Sequence, residues 1–242
     1  MTLEVDVTAR VGAFALRAEL SIGGPQAPGG APLALVGPNG AGKTSLLLAI
    51  LGILRPSAGR ITLGGAVLFD SATATSLPPE ERGLGYVPQN LALFPHMTVR
   101  QNVQFALGCR RARPADRERT EQLLAALDLH ALADRRPATL SGGERQRAAL
   151  ARALATEPRA VLLDEPLAAL DAAARAGVRA LVASAVARLS VPAIVVTHDL
   201  EDAAALGARV AVLEDGRVTQ MGTVAEIRAR PGSAFVEALA RR

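Results

Sequence analysis

A glycine-rich segment between an apolar strand and an apolar helix constrains this chain more than any other feature. Residues 37–44 read G-P-N-G-A-G-K-T, which matches the pattern G-x-x-x-x-G-K-[ST]. They follow the apolar run Leu33–Val36 and precede a helix predicted over residues 45–54. Glycines permit conformations that turn several backbone N–H groups toward one point, and the helix N-terminus adds partial positive charge. This segment, called the phosphate loop below, therefore predicts an anion site in an α/β fold.

The use of lysine in the chain supports this interpretation. Of 27 basic residues only Lys43 is a lysine, and it stands in the phosphate loop. A compact ammonium on a long stem suits the β- and γ-phosphates of a nucleotide, and the Thr44 hydroxyl can ligate Mg²⁺. A glycine-rich turn with an incidental lysine is the alternative, which the strand–loop–helix context disfavours. The candidate phosphate-binding residues are Gly37, Pro38, Asn39, Gly40, Ala41, Gly42, Lys43, Thr44 and Ser45.

Composition excludes several other classes of protein. The 242 residues are 50% hydrophobic and 21% charged, so a sizeable core can form. No apolar run approaches the roughly 18 residues that span a bilayer, and the N-terminus does not have the pattern of a signal peptide. A single cysteine, Cys109, excludes an internal disulfide framework and favours a reducing compartment. The net charge of +4 and the scarcity of aromatic residues argue against nucleic-acid binding.

Strand and helix patterns alternate along most of the chain, which predicts a mainly parallel sheet covered on both faces. Strands at 3–7 and 14–20 and a hairpin over 60–70 predict an N-terminal antiparallel β-subdomain, and residues 71–76 predict a polar loop. Residues 98–158 contain no convincing strand and predict an inserted block of helices. Later elements are predicted at 160–163, 172–189, 193–196, 200–206, 209–213 and 217–220, followed by two short helices.

These patterns predict one unit over residues 1–242. Segments 1–89 and 159–242 would form the α/β core with its antiparallel β-subdomain. Segment 90–158 would form the helical subdomain.

Two acidic residues follow the predicted strand at 160–163. A strand end beside the phosphate loop is where α/β sheets bind ligands. Asp164 is expected to hold Mg²⁺, directly or through water, whereas Glu165 projects differently and can polarise an attacking water. A solvated acidic turn is the alternative interpretation.

A second helix start carries two glycines. Ser141 has the position of an N-cap residue and Glu144 that of its capping-box partner, so a well-capped helix is one interpretation. Gly142 and Gly143 also expose backbone N–H groups at the positive helix end, which predicts a second phosphate site. One nucleotide rarely needs two such sites from one chain.

Together these motifs resemble the ATP-binding subunit of an ABC transporter, and the match covers nearly all of the chain. The family's motifs occur in order: the phosphate loop, Gln89, residues 140–146, Asp164 with Glu165, residues 169–171, and His198. The resemblance implies a P-loop NTPase (RecA-like) fold of the α/β class, and ATP and Mg²⁺ as cofactors.

The resemblance also implies roles for single residues in a head-to-tail homodimer. Each ATP would lie between the phosphate loop of one copy and the residues Ser141, Gly142 and Gly143 of the other. Gln89 would contact Mg²⁺ with Thr44 and Asp164, Glu165 would be the catalytic base, and His198 would contact the γ-phosphate beside Lys43. Asp171 would cross the dimer interface and couple the two sites.

One departure from the family concerns the base. Members commonly stack adenine on an aromatic residue shortly before the phosphate loop, whereas this chain has Val11 there. Phe14 could substitute, or could be a core residue of its strand.

The resemblance implies membrane partners as well. Residues 89–99 would form part of the groove that receives a cytoplasmic helix of an integral membrane permease. A periplasmic or extracellular substrate-binding protein would act indirectly, and the chain would lie in the cytoplasm, peripheral on the inner face of the cell membrane. A hydrophobic loop that packs on its own domain is the alternative for this segment. The regulatory β-domain of many importer ATPases is expected to be absent or on another polypeptide.

The cargo has one sequence clue. Residues 67–70, the loop at 71–76, and residues 77–87 resemble molybdate-importer ATPases, so molybdate or tungstate is the leading prediction. Sulfate and ferric iron are the alternatives. Other classes remain as competitors: a soluble ABC-type ATPase of DNA repair or translation, a nucleotide-sensing module without turnover, and an exporter.

Overall fold

The strands form one mixed sheet in the computed structural model, which describes residues 1–23, 31–108, 113–167, 172–189 and 191–241. The strands of these segments are β1 (Thr2–Val11), β2 (Phe14–Gly23), β3 (Leu33–Val36), β4 (Ala58–Leu63), β5 (Ala66–Asp70), β6 (Thr75–Ser76), β7 (Leu84–Val87), β8 (Ala160–Asp164), β9 (Ala193–Val196), β10 (Arg209–Glu214) and β11 (Arg217–Thr223). The helices are α1 (Lys43–Leu51), α2 (Val99–Ala106), α3 (Pro114–Ala126), α4 (Gly142–Leu154), α5 (Ala172–Leu189), α6 (Leu200–Ala205), α7 (Val224–Ala229) and α8 (Ala234–Ala240). Short 3₁₀ turns occur at Pro79–Glu81, His130–Leu132 and Pro137–Thr139.

The sheet has a parallel half and an antiparallel half. Its order is β6-β5-β4-β1-β2-β11-β10-β3-β9-β8-β7. Strands β10, β3, β9, β8 and β7 pair in parallel, whereas β6, β5, β4, β1 and β2 pair antiparallel. The halves meet where Arg217 of β11 pairs with Arg17 of β2. This is the predicted α/β arrangement with an antiparallel β-subdomain.

Strand β3 lies between two hydrophobic cores. Leu33 and Leu35 pack with α1 and the antiparallel strands, whereas Ala34 and Val36 pack with the helices on the other face. Because both faces are covered, the strand has no polar position, which explains its continuous apolar sequence. The two cores fix the carboxyl end of β3, from which the phosphate loop starts.

The helical block lies between β7 and β8 in the chain. Helices α2, α3 and α4 pack on one another and share the core that covers one face of the parallel strands. The bounds of the helical subdomain, residues 90 and 158, remain a prediction. In the described segments, no helix combines the length and the apolar character that crossing a membrane requires.

Two local expectations were wrong. Residues 75–76 form a short strand that pairs with Phe69 and Asp70, not the end of a loop. Strand β7 was not predicted, because Gly85 interrupts its apolar pattern. A Cβ at Gly85 would stand 2.7 Å from the carbonyl oxygen of Ala153, so close approach of α4 requires glycine there.

Candidate functional site

The phosphate loop connects β3 to α1 through a backbone that requires glycine. Gly40 and Gly42 have φ angles of 80° and 99°, in the left-handed region. A Cβ at Gly37 would lie 2.1 Å from the carbonyl oxygen of Leu213, so a larger residue does not fit. Helix α1 starts after Gly42 without a side-chain cap, which leaves its first N–H groups available to a ligand. This cradle fits a phosphate group.

Lys43 is held over the loop by two hydrogen bonds. Its Nζ donates to the carbonyl oxygens of Gly37 at 2.8 Å and Pro38 at 2.9 Å. Burial lowers the pKa of Lys43, while the nearby carboxylates of Glu165 and Asp164 act to raise it. A buried cation next to an uncapped helix N-terminus favours an anion between them.

Thr44 and Asp164 form the candidate magnesium site. The Thr44 hydroxyl donates to Asp164 Oδ2 at 2.9 Å, and the Tyr86 hydroxyl lies 3.5 Å from the same oxygen. Burial raises the pKa of Asp164, and burial together with Asp164 raises the pKa of Tyr86 to about 12. A hydroxyl beside a carboxylate fits Mg²⁺, which takes few protein ligands and completes its shell with phosphate and water. The described residues contain no cluster of three or more His, Cys, Asp or Glu that could hold a metal.

Glu165 turns away from Asp164 because its backbone is left-handed. Its φ angle is 49°, and its N–H donates to the Val196 carbonyl at 3.1 Å. The carboxylate Oε2 accepts a hydrogen bond from Gln89 Nε2 at 2.9 Å. The two adjacent acids therefore face different partners, as their different predicted roles require.

Two cavities adjoin this arrangement. One of about 570 Å³ is lined by Val11 and Phe14, the phosphate loop, Gln89 and Glu165. Phe14 also lies under the loop, since a Cβ at Gly42 would stand 2.9 Å from its ring. Phe14 thus borders the cavity and supports the loop, and Val11 is 45% exposed at the cavity.

The second cavity, of about 470 Å³, lies on the other side of Glu165. It is lined by residues of the phosphate loop, by His198 and by the C-terminal helix, including Phe235 and Leu239. His198 is exposed and borders Glu165 there. The cavity therefore brings the two predicted catalytic residues Glu165 and His198 to one place.

The second phosphate motif does not line these cavities within the described residues. Ser141 forms the expected capping box of α4: its Oγ accepts from the N–H of Glu144 at 3.3 Å, and Glu144 accepts from the N–H of Ser141 at 2.7 Å. The hydrogen bond from the backbone N–H of Ser141 to the carboxylate lowers the pKa of Glu144. Ser141, Gly142 and Gly143 are therefore not among the residues that line the two cavities. Asp171 lies outside the described residues.

Tyr86 is a site residue that the sequence did not indicate. Its contact with Asp164 spans 78 positions in the chain and depends on the pairing of β7 with β8. A strand prediction at 84–87 was the signal that could have placed it.

Residues 26–168 match the ABC transporter family. The chain belongs to this family. The predicted recognition is therefore confirmed at the level of the family.

Curated relatives are import ATP-binding proteins. The chain is 44% identical over 211 residues to molybdenum import ATP-binding protein ModC of Mycobacterium tuberculosis, covering 85% of this chain and 57% of ModC. It is 48% identical over 214 residues to sulfate/thiosulfate import ATP-binding protein CysA 1 of Chromobacterium violaceum, covering 86% of this chain and 58% of CysA 1. It is 48% identical over 203 residues to Fe(3+) ions import ATP-binding protein FbpC 2 of Rhodococcus jostii, covering 84% of this chain and 57% of FbpC 2. The chain thus spans less than three fifths of the length of these relatives.

Two solved structures confirm the predicted fold. One is a dimeric post-hydrolysis state of an ATP-binding cassette bound to ADP and Pi, with a TM-score of 0.73 and 28% identity over 93% of this chain and 99% of that one. The other is cbiO1 from Clostridium perfringens, part of an ABC transporter complex. Its TM-score is 0.79 at 28% identity, and the match covers 94% of this chain and 90% of cbiO1.

Proposed function

We propose that this chain binds ATP with Mg²⁺ and hydrolyses it as the ATPase subunit of an ABC importer. The observation that carries the proposal is the convergence of three pairs on one cavity. Lys43 lies over the phosphate loop, Thr44 contacts Asp164, and Gln89 contacts Glu165. Family membership and the ADP-bound and Pi-bound neighbour support ATP as the nucleotide.

The proposed chemistry is phosphoryl transfer to water. The loop N–H groups and Lys43 bind the β- and γ-phosphates, and Thr44, Asp164 and Gln89 would hold Mg²⁺, which neutralises phosphate charge when bound. Glu165 accepts a proton from the attacking water, and His198 orients the γ-phosphate from the neighbouring cavity. Positioning and charge stabilisation then supply most of the rate enhancement.

Two copies complete each site in this proposal. Ser141 caps α4, and the N–H groups of Gly142 and Gly143 at that helix end suit a phosphate presented by the other copy. Asp171 would lie at the same interface. The dimeric state of the structural neighbour supports this arrangement.

Residues 89–99 are the proposed contact with an integral membrane permease. Leu91 and Ala92 have φ angles of 62° and 44°, and Arg152 holds both by donating to their carbonyl oxygens at 3.1 and 2.6 Å. The ring centroids of Phe94 and Phe105 lie 4.5 Å apart, and Phe105 is 54% exposed. An aromatic pair with one exposed ring, close to Gln89 in the sequence, supports a partner site here. The chain would then act at the inner face of the cell membrane, with a substrate-binding protein acting through the permease.

Molybdate or tungstate is the proposed cargo. The resemblance of residues 67–87 to molybdate importers supports it, and so does the molybdenum-import relative. Sulfate and ferric iron are second candidates, because CysA 1 and FbpC 2 are each 48% identical. Uptake measured in cells that express this chain together with its transporter partners decides among them. Molybdate-stimulated uptake supports the proposal, and uptake of sulfate or iron alone contradicts it.

Phosphate release by the purified chain with ATP and Mg²⁺ tests the proposed activity. Wild type should turn over, and Glu165→Gln should lose turnover while it keeps nucleotide binding. Glu118→Gln is the matched control, because Glu118 is exposed on α3 and remote from the site. Absence of turnover in the wild type would favour a nucleotide-sensing module instead.

A further inference from the structure

Asp202 is a buried carboxylate outside the predicted motifs. It lies on α6 with 1% of its surface exposed. Two arginines of α5 approach it: Arg179 NH2 lies 2.6 Å from Oδ1, and Arg175 NH2 lies 3.6 Å from Oδ2. A buried charge of this kind persists only when it is paired. The cluster therefore ties the start of α5 to α6.

The same carboxylate holds the segment that carries His198. The Thr197 hydroxyl donates to Asp202 Oδ2 at 3.1 Å, and the N–H of Asp199 donates to the Thr197 hydroxyl at 3.2 Å. Asp199 also caps α6 by accepting from the N–H of Glu201 at 2.8 Å, and its carboxylate lies 3.7 Å from Arg175 NH1. Both neighbours of His198 are thus fixed to the cluster.

His198 itself has no such anchor. Its side chain is exposed, and its imidazole makes no hydrogen bond in the part of the chain that the structure describes. A cavity of about 10 Å³, close to the smallest that can hold a water, is lined by Glu165, His198, Arg175 and Asp202. The position of the imidazole relative to Glu165 is therefore set through Thr197 and Asp199.

We infer that Asp202, with Arg175 and Thr197, is a positioning unit that aims His198 at the reacting phosphate. The inference rests on the proposed function for its effect on turnover. None of the three needs to touch the nucleotide, because they act through the backbone on either side of His198. Misplacement of a reacting group by about 1 Å can cost about 100-fold in rate. Asp202→Asn should therefore lower kcat by about 10- to 100-fold and leave the KM for ATP within about twofold.

The competing explanation is that the cluster only stabilises the packing of α5 on α6. Two comparisons separate the explanations. Glu201→Gln is the matched control, since Glu201 lies next to Asp202 on α6 but is exposed and pairs only with Arg228 at 3.2 Å among the described residues. It should keep wild-type kcat. In a His198→Ala background, Asp202→Asn should cause no further loss, because the group it positions is gone.

A second readout does not depend on turnover. The chain has three histidines, so labelling the histidine Cε1 with ¹³C gives three imidazole signals, assigned by His96→Ala, His130→Ala and His198→Ala. Asp202→Asn should shift or broaden the His198 signal and leave the other two unchanged. If Asp202→Asn does not fold, Thr197→Val provides the same test, because it removes the two hydrogen bonds of the Thr197 hydroxyl and keeps the three ion pairs of the cluster.

The outcomes separate the two proposals. A wild type without ATPase activity defeats the proposed function, while the His198 signal still decides the positioning inference. A folded Asp202→Asn or Thr197→Val with wild-type kcat and an unchanged His198 signal overturns the inference. An equal loss of kcat in the wild-type and His198→Ala backgrounds also overturns it.

Discussion

Among single residues, Lys43 of the phosphate loop contributes most to the proposed binding of ATP. Lys43→Ala should weaken ATP binding by about 10- to 100-fold, because a charged hydrogen-bond donor to the phosphates is lost. Lys43→Arg should not restore it, since the wider guanidinium cannot occupy the place of an ammonium between the carbonyls of Gly37 and Pro38. Calorimetric titration with ATP and Mg²⁺ measures both, and wild-type affinity in Lys43→Ala would contradict the assignment.

The buried carboxylate of Asp164 predicts a pH effect on stability. Burial raises its pKa above the usual 3.8, so the folded state binds the proton more tightly than the unfolded state. The protonated carboxyl group therefore adds to the free energy of unfolding below pH 3.8. This contribution is lost as the pH rises through the raised pKa of folded Asp164. Asp164→Asn should therefore have a higher Tm than wild type at pH 7, with a smaller difference at about pH 4. If Asp164→Asn and wild type differ in Tm by the same amount at both pH values, the predicted effect of the Asp164 charge on stability is wrong.

Sequence can name candidate residues where a motif is local, but it cannot do so where a partner is distant in the chain. The phosphate loop is continuous in sequence, so its residues could be named from spacing alone. Tyr86 and Asp202 are recognisable only from contacts: Tyr86 depends on strand order, and Asp202 has both of its arginines on another helix. No spacing rule marks such pairs before the fold is known.

At the scale of elements, the close approach of β10 to the phosphate loop can be tested with two glycines. Gly37→Ala should destabilise the chain by about 1–3 kcal/mol, because its Cβ would stand 2.1 Å from the Leu213 carbonyl. Gly177→Ala is the control on α5, where a Cβ meets nothing within 4 Å, and should stabilise by up to about 1 kcal/mol. Thermal and urea unfolding measure both. A tolerated Gly37→Ala would contradict the described loop packing.

The far end of α1 depends on a buried arginine. Arg82 is 1% exposed and donates to the carbonyls of Leu77 at 2.9 Å, Ala49 at 3.1 Å and Ile50 at 2.7 Å. Its charge also suits the negative end of the helix. Arg82→Met should cost about 2–4 kcal/mol, because it removes the guanidinium that donates to the buried carbonyls of Leu77 and Ile50, while Ala49 keeps only the N–H of Gly52. The midpoint of urea unfolding measures this cost, and a midpoint within error of wild type would contradict the role.

Elements with strong periodicity were predictable, whereas pairing was not. Strands β3 and β9 and helix α5 have the predicted bounds, because each is a distinct apolar or helical run. Strand β7 escaped prediction because the glycine that admits α4 also weakens the strand pattern. Sheet order depends on crossovers over tens of residues, which local patterns do not encode.

At the scale of the whole molecule, the two phosphate motifs belong to different sites of one chain. The cavity at the phosphate loop does not reach Ser141 within the described residues. In the proposed homodimer a second copy would supply Ser141 to this cavity, and ATP would act as the link between the copies. The central claim is therefore an ATP-dependent homodimer.

The mass of Glu165→Gln in solution with and without ATP tests for this dimer, because a variant that lacks the proposed base should retain its bound ATP. With ATP and Mg²⁺, light scattering should give about twice the 25.0 kDa of one chain, and the monomer mass should return without nucleotide. Adding Ser141→Arg should abolish the dimer, since the larger side chain occupies the place of the second phosphate contact. A variant that binds ATP yet stays monomeric, or a dimer that Ser141→Arg does not affect, would contradict the account.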